Sequence, residues 1–211
     1  MNNNILSKSF LWMFIGLLVT FVTEYAVCRN YNIMYAIFAK NGYIFLMIAE
    51  LLLVIFLSAR IFKMKPTTAK IMFLLYSFVS GLTFSSIFFA YELSFIMYVF
   101  LIAAAVFGLF GFLGFTTKMD LSKISTFLMM GLLGVVICSI INIFIGGDTF
   151  SLIISIISLI VFLGITAYDV QKIKNLPIDN DNGAIYGALQ LYLDFINIFL
   201  DLLRILSRNR D

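Results

Sequence analysis

Apolar residues in this chain come in runs of about twenty, broken by short polar gaps; a run of that length is what a helix needs to cross a bilayer. Seven runs are readable, at about 10–28, 43–62, 71–91, 95–115, 124–145, 150–172 and 184–206. Both prolines, Pro66 and Pro177, fall in the gaps, where they break no helical hydrogen bond. The pattern predicts an all-α polytopic membrane protein, a seven-transmembrane-helix bundle. No polar tract is long enough for an extramembrane domain, so residues 1–211 read as a single transmembrane domain.

Polar residues inside the runs are not scattered. In the sixth run Ser151, Ser155, Ser158, Phe162, Thr166 and Asp169 recur every three or four residues, which places them on one helical face. In the seventh, Gly183, Gly187, Gln190, Asp194, Asn197, Asp201 and Arg204 do the same. Lipid does not accept such a stripe, and the chain has no soluble domain to cover it. The seventh helix is therefore expected at the centre of the bundle, its polar stripe lining a cavity. Small residues recur in the fourth run (Ala104, Gly108, Gly111, Gly114) and the fifth (Gly131, Gly134, Cys138, Asn142). Such spacing lets membrane helices approach closely, and packing is all that is read from it.

Composition agrees. The 211 residues are 63% hydrophobic and 12% charged, against about a quarter charged in a soluble domain. The net charge of +3 gives no reason to expect a nucleic-acid partner. The side on which each charge falls matters more. One side would hold Lys8, Lys63, Lys65, Lys70, Lys118, Lys123, Lys172 and Lys174. The other would hold Arg29 and Lys40, and also Arg204, Arg208 and Arg210 if the last segment crosses. The first side is read as cytoplasmic, with the N-terminus inside. A re-entrant last segment would suit the three arginines better, but its length favours a full crossing. The first run reads as a retained helix, since no clear small-x-small cleavage site follows it. Cys28 and Cys138 have no metal-ligand spacing and indicate no disulfide framework. There is no histidine, so any response to pH near neutrality falls to carboxylates or another perturbed group.

Carboxylates inside membrane segments are costly and normally face the protein interior or a wet cavity, with a partner. Asp169 and Asp194 are the first such pair, one near the end of the sixth run and one inside the seventh. Asp194 lies about ten residues into its run, roughly 15 Å along. The two meet only if the last helix tilts or begins below the membrane plane. Glu50 lies about two turns inside the outer end of the second helix, and Arg60 near its inner end. Arg60 either snorkels to the headgroups or turns inward to meet carboxylates. Glu24 reads as interfacial, with Thr20 on the same face.

Four stretches resemble the Bax inhibitor-1 family, and among its members the bacterial ones. They are Gly81 to Ser85 (GLTFS), Ala104 to Leu121 (AAVFGLFGFLGFTTKMDL), Ala167 to Ile173 (AYDVQKI) and Ala188 to Arg204 (ALQLYLDFINIFLDLLR). The resemblance implies a seven-helix fold with the last helix wrapped by the other six, in a bacterial inner membrane. It also implies a pH-sensitive calcium leak, with calcium and protons as the partners besides the lipid bilayer, no cofactor, and protein partners left open. Asp169 and Asp194 match the family's aspartate pair, its pH sensor and metal-ion site. Arg60 matches the latch linked to that pair, and Glu50 a glutamate on the ion path. The family's usual threonine after the first aspartate is Val170 here.

Rival functions carry less. Two aspartates on successive helices suit an intramembrane aspartyl protease, but the second motif of that class, Gly-x-Gly-Asp, is replaced by Tyr192-Leu193-Asp194, so no enzyme is expected. A proton-coupled transporter would be supported by repeats or broken helices, and none is evident in the sequence. A non-conducting interaction protein would pass no ions when purified.

Overall fold

The computed structural model describes residues 3–38, 42–176 and 180–208. Lys40, Pro177 and Arg210 lie outside the described residues. All regular structure among them is helical. Helices α1 (Asn3–Cys28), α2 (Tyr31–Phe38), α3 (Gly42–Arg60) and α4 (Pro66–Phe84) are followed by the single turn α5 (Ile87–Ala90). Then come α6 (Leu93–Thr116), α7 (Ser122–Ile145), α8 (Asp148–Lys174) and α9 (Asp181–Ser207).

Six stretches among the described residues are long and apolar enough to cross a membrane: Ile5–Cys28, Gly42–Lys63, Pro66–Ala90, Leu93–Thr116, Ser122–Ile145 and Asp148–Lys174. They correspond to the first six runs. The seventh, α9, spans 27 residues, about 40 Å at the helical rise, and so has the length to cross. Its polar stripe keeps it below the hydropathy of the rest. Pro66 is the first residue of α4, where its missing N–H removes no bond. The third run is not one helix, because the chain turns at Ser85 and Ser86 before α5. The linker after the first run contains α2, which the twenty-residue spacing did not predict.

The chain divides into two compact units, Met1–Phe95 with Leu176–Tyr192, and Ile96–Asn175 with Leu193–Asp211. In the first, α1 and α3 pack on α4. The α1–α4 approach is close because glycines make it so. A Cβ on Gly16 would lie 2.8 Å from the Phe73 ring, and one on Gly81 would lie 2.7 Å from the Thr20 carbonyl oxygen. The start of α9 is tied to the α3–α4 connection. Asn182 Nδ2 donates to the Met64 carbonyl at 2.8 Å, and Phe62 and Tyr186 pack with ring centroids 5.1 Å apart. Lys70 of α4 forms an ion pair with Asp181 at 2.5 Å.

In the second unit α7 packs on α8, yet α7 has no fully buried residue. Helices α6 and α8 approach closely at a glycine, where a Cβ on Gly114 would sit 2.2 Å from the Ala167 carbonyl oxygen. Gln171 of α8 then clamps the α6–α7 connection. Its Nε2 donates to Met119 O at 2.8 Å, and its Oε1 accepts from Leu121 N at 2.9 Å. Lys174 donates to Phe115 O at 2.7 Å and lies over the Phe115 ring. The stripe of small residues is thus only partly a packing face. Gly131 would meet Val161 at 3.1 Å, but nothing among the described residues lies within 4 Å of a Cβ on Gly108 or Gly134.

Two outcomes follow from these contacts. Gly114→Ala should destabilise the protein by about 1–3 kcal/mol, the usual cost of forcing atoms into a packed interface, while Gly134→Ala should leave stability unchanged or slightly raised; thermal unfolding in detergent measures both. Asp181 lies ahead of the apolar part of α9, and the hydrogen bond and charge of Lys70 hold its carboxyl below the ordinary carboxylate range. A depressed carboxylate stabilises the fold above its unfolded value and loses that contribution as pH falls through the folded one. Asp181→Asn should therefore cost at most about 1 kcal/mol at neutral pH, since the pair is solvent-screened, and nothing in strong acid. Unfolding midpoints at the two pH values compare the two proteins.

Candidate functional site

Helix α8 turns the face foreseen in the sequence inward. Ser155, Ser158, Phe162, Thr166 and Asp169 are all buried, and Ser151 at the helix start is half-buried. Thr166 satisfies its hydroxyl on its own helix, donating to Phe162 O at 2.8 Å. Asp169 follows one turn later and is 5% exposed. It lies between the Gly114–Ala167 contact and the Gln171 clamp, so the backbone that carries it is held on both sides. Lys172, one turn on, acts on it electrostatically.

Helix α9 has no fully exposed residue from Asp181 to Leu203. Asp194 is 3% exposed, and its Oδ2 has no hydrogen-bond partner. Phe195, the next residue, packs edge-on against Phe100 and Phe107 of α6, with centroids 5.2 and 5.5 Å away. Rings on that side fix the rotation of α9 and leave Asp194 facing elsewhere. Asp169 and Asp194 belong to the same compact unit and lie within Coulombic range of each other. Helix α9 begins at Asp181, ahead of the start at 184 expected from hydropathy, and α8 runs on to Lys174, so Asp194 still lies deeper in its helix than Asp169 does from the end of its own.

Glu50 and Arg60 belong to the first unit. Arg60 ends α3 and is exposed. Glu50 is half-buried and accepts a hydrogen bond from Ser80 Oγ of α4 at 2.6 Å. Behind it lies a network of hydroxyls that sequence reasoning missed. Tyr192 is fully buried, between Phe73 and Tyr76 in edge-to-face contacts. Its hydroxyl is 2.7 Å from Thr20 Oγ1. Thr20 has one proton and two carbonyls to give it to, Ser77 O at 2.9 Å and Gly16 O at 3.0 Å. Tyr192 therefore donates to Thr20. Glu50 acts electrostatically on both Tyr76 and Tyr192. The available signal was the spacing of Ser77, Ser80 and Thr83 every third residue of α4, one of whose neighbours is the glutamate.

Among the described residues no three acidic, cysteine or histidine side chains converge as a metal site. Two carboxylates with hydroxyls and carbonyls can hold calcium only weakly, since a tight site takes six to eight oxygens. Weak, exchangeable binding is what a conduction path requires.

Residues 2–211 match the family model described as "Inhibitor of apoptosis-promoting Bax1". The inner membrane protein YbhL of Escherichia coli (strain K12) is 40% identical over 208 residues, 94% of this chain and 89% of that protein. An uncharacterized protein of Borreliella burgdorferi is 38% identical over 217 residues, 99% of this chain and 94% of its own. An uncharacterized membrane protein of Streptococcus pyogenes serotype M1 is 42% identical over 167 residues, covering 77% and 72%.

The hydroxyl network yields one expectation. Tyr192→Phe should cost about 1 kcal/mol, the net value of one buried hydrogen bond, and no more, because Thr20 keeps its carbonyl acceptors. Tyr192→Ala should cost about 3–5 kcal/mol through the cavity it leaves. Denaturation of the purified variants checks the ratio.

Proposed function

Since this chain belongs to the Bax inhibitor-1 family of membrane proteins, we propose that it is a pH-sensitive calcium leak of the bacterial inner membrane, gated by Asp169 and Asp194. The observation that carries the reading is the pair itself: two buried carboxylates on α8 and α9 of one compact unit, the charge of Asp169 acting on Asp194, with an unpartnered oxygen on Asp194. Seven crossings with α9 at the centre, the N-terminus cytoplasmic and the whole chain one transmembrane domain complete the proposal. It is supported by the length of α9 and by its lack of exposed residues as far as Leu203.

The chemistry is a competition. Like charges close together cannot both ionise cheaply, so the pair titrates in two coupled steps. Protons and calcium compete for the same oxygens, and calcium affinity at the pair rises with pH. Lys172 beside Asp169 is the other charge acting on it. Arg60 serves as a latch at the cytoplasmic mouth, and its removal raises the resting leak. Glu50 shapes the ion path from the other side without belonging to the sensor. Protonation frees the pair from calcium, which fixes the sign for binding and not for flux.

Asp169→Asn and Asp194→Asn should each remove one of the two titration steps and weaken calcium binding at alkaline pH about tenfold or more, since a hydrogen bond or contact to a charged group is worth roughly 1.5–3 kcal/mol. Calcium flux into liposomes holding the purified protein, followed from about pH 5 to 9, a span set by where titrations of buried carboxyl groups are documented, tests it. A flux profile that both variants share with the wild type removes the pair from the gate.

A further inference from the structure

A cavity of about 340 Å³ lies wholly within the second unit, walled by α7, α8 and the last part of α9. Apolar side chains form most of its wall, and Val136, Ile140 and Ile143 of α7 are themselves exposed, so the cavity is open on the α7 side. Ser139, Ser158, Asn197, Asp201 and Arg204 supply its polar groups. We infer that this cavity is a water-filled vestibule that receives cations and leads them to Asp194, with Asp201 as the carboxylate midway. The inference rests on the proposed leak and adds its entrance.

Three features of the cavity support it. The first is register. Asp194, Asn197 and Asp201 are spaced by three and four residues, so they line one face of α9 on successive turns, about 10 Å from end to end. Asn197 lines the cavity and stands one turn from the buried pair. It ties its own amide back, donating from Nδ2 to Leu193 O at 2.7 Å, which leaves its side-chain oxygen for the path.

The second is unmet hydrogen bonding. Asp201 Oδ2 is shielded from bulk solvent and has no partner, as has Asp194 Oδ2 below it. The ion pair among the described residues is Lys70–Asp181, so no described cation lies within 4 Å of Asp201. Arg204 acts on Asp201 only through space, and its Nη1 is directed at Ser155 Oγ, 3.5 Å away. Ser158 and Ser155 are the other polar groups acting on the carboxylate. A carboxylate oxygen without a partner is costly in a dry site, and a cation or water in the cavity removes that cost.

The third is size. At ~30 Å³ per molecule the cavity holds on the order of ten waters, and three of the five polar side chains that can partner them, Asn197, Asp201 and Arg204, stand on the α9 wall. Water there forms a file along the stripe from Arg204 to Asn197. Arg204 is exposed and stands one turn beyond Asp201, where it sets the charge at the mouth.

The test uses the full chain in proteoliposomes, with Cys28→Ser and Cys138→Ala removing the native thiols. Ser139→Cys and Asn197→Cys are each exposed to membrane-impermeant methanethiosulfonates, one carrying a trimethylammonium group and one a sulfonate. Ile137→Cys, on the exposed face of α7, is the control. The vestibule requires that Ser139→Cys and Asn197→Cys react and that the control does not. It also requires that millimolar calcium slow the reaction of Asn197→Cys. Adding Asp201→Asn should lower the ratio of cationic to anionic rates by at least roughly fivefold, as one unit charge about 8 Å away in a wet site dictates, and should abolish the effect of calcium. Arg204→Gln should raise the ratio. Labelling no faster than the control means that lipid fills the cavity and overturns the inference. So does labelling that ignores reagent charge and calcium. Flux is measured separately: a wild type that passes no calcium yet shows the charge preference overturns the leak and leaves the vestibule standing.

Discussion

A carboxylate cannot be left against hydrocarbon, and the arrangement of this protein follows from where it hides its acids. Asp169 and Asp194 are buried to within a few per cent. Each is held by packing that has nothing to do with charge. The α8 backbone is fixed by the Gly114–Ala167 contact and by Gln171, and the rotation of α9 by Phe195 against Phe100 and Phe107. Rigid surroundings matter here because two like charges would otherwise move apart. Under the proposed function, a pair that is kept together answers a change of pH by exchanging protons or by taking up a cation.

The two compact units treat their acids differently. In the first, Glu50 is satisfied at once by Ser80, and a tyrosine–threonine network lies behind it. In the second, Asp194 and Asp201 each keep an oxygen without a partner. A satisfied acid holds structure in place, and an unsatisfied one has capacity left for an ion. On the proposed reading, that contrast separates a glutamate beside the path from aspartates with room for an ion.

Much of this was legible in the chain. The polar faces of α8 and α9 follow from a three-four spacing alone, because lipid forces such faces inward. The motif resemblance gains a physical content from the structure, since AAVFGLFGFLGFTTKMDL and AYDVQKI are in contact through Gly114, Met119 and Leu121. Other features were not legible for equally physical reasons. Hydropathy cannot see a break at Ser85–Ser86, because serine hydroxyls satisfy themselves locally: Ser85 Oγ donates to Leu82 O at 2.7 Å. The Tyr192–Thr20 bond joins residues far apart in sequence, and tyrosine in an apolar run looks like any other core aromatic. The glycine stripes gave no way to tell Gly114, which touches a backbone, from Gly134, which touches nothing described.

The central claim is that Asp169 and Asp194 act as one unit, and a double-mutant cycle on calcium binding tests it most directly. Affinity is measured at fixed alkaline pH for the wild type, Asp169→Asn, Asp194→Asn and the double variant, all shown to be folded. Coupled carboxylates predict that the losses do not add, with an interaction of about 0.5–3 kcal/mol, the range found for residues in contact. Losses that add within about 0.3–0.5 kcal/mol, as for independent sites, would contradict the account.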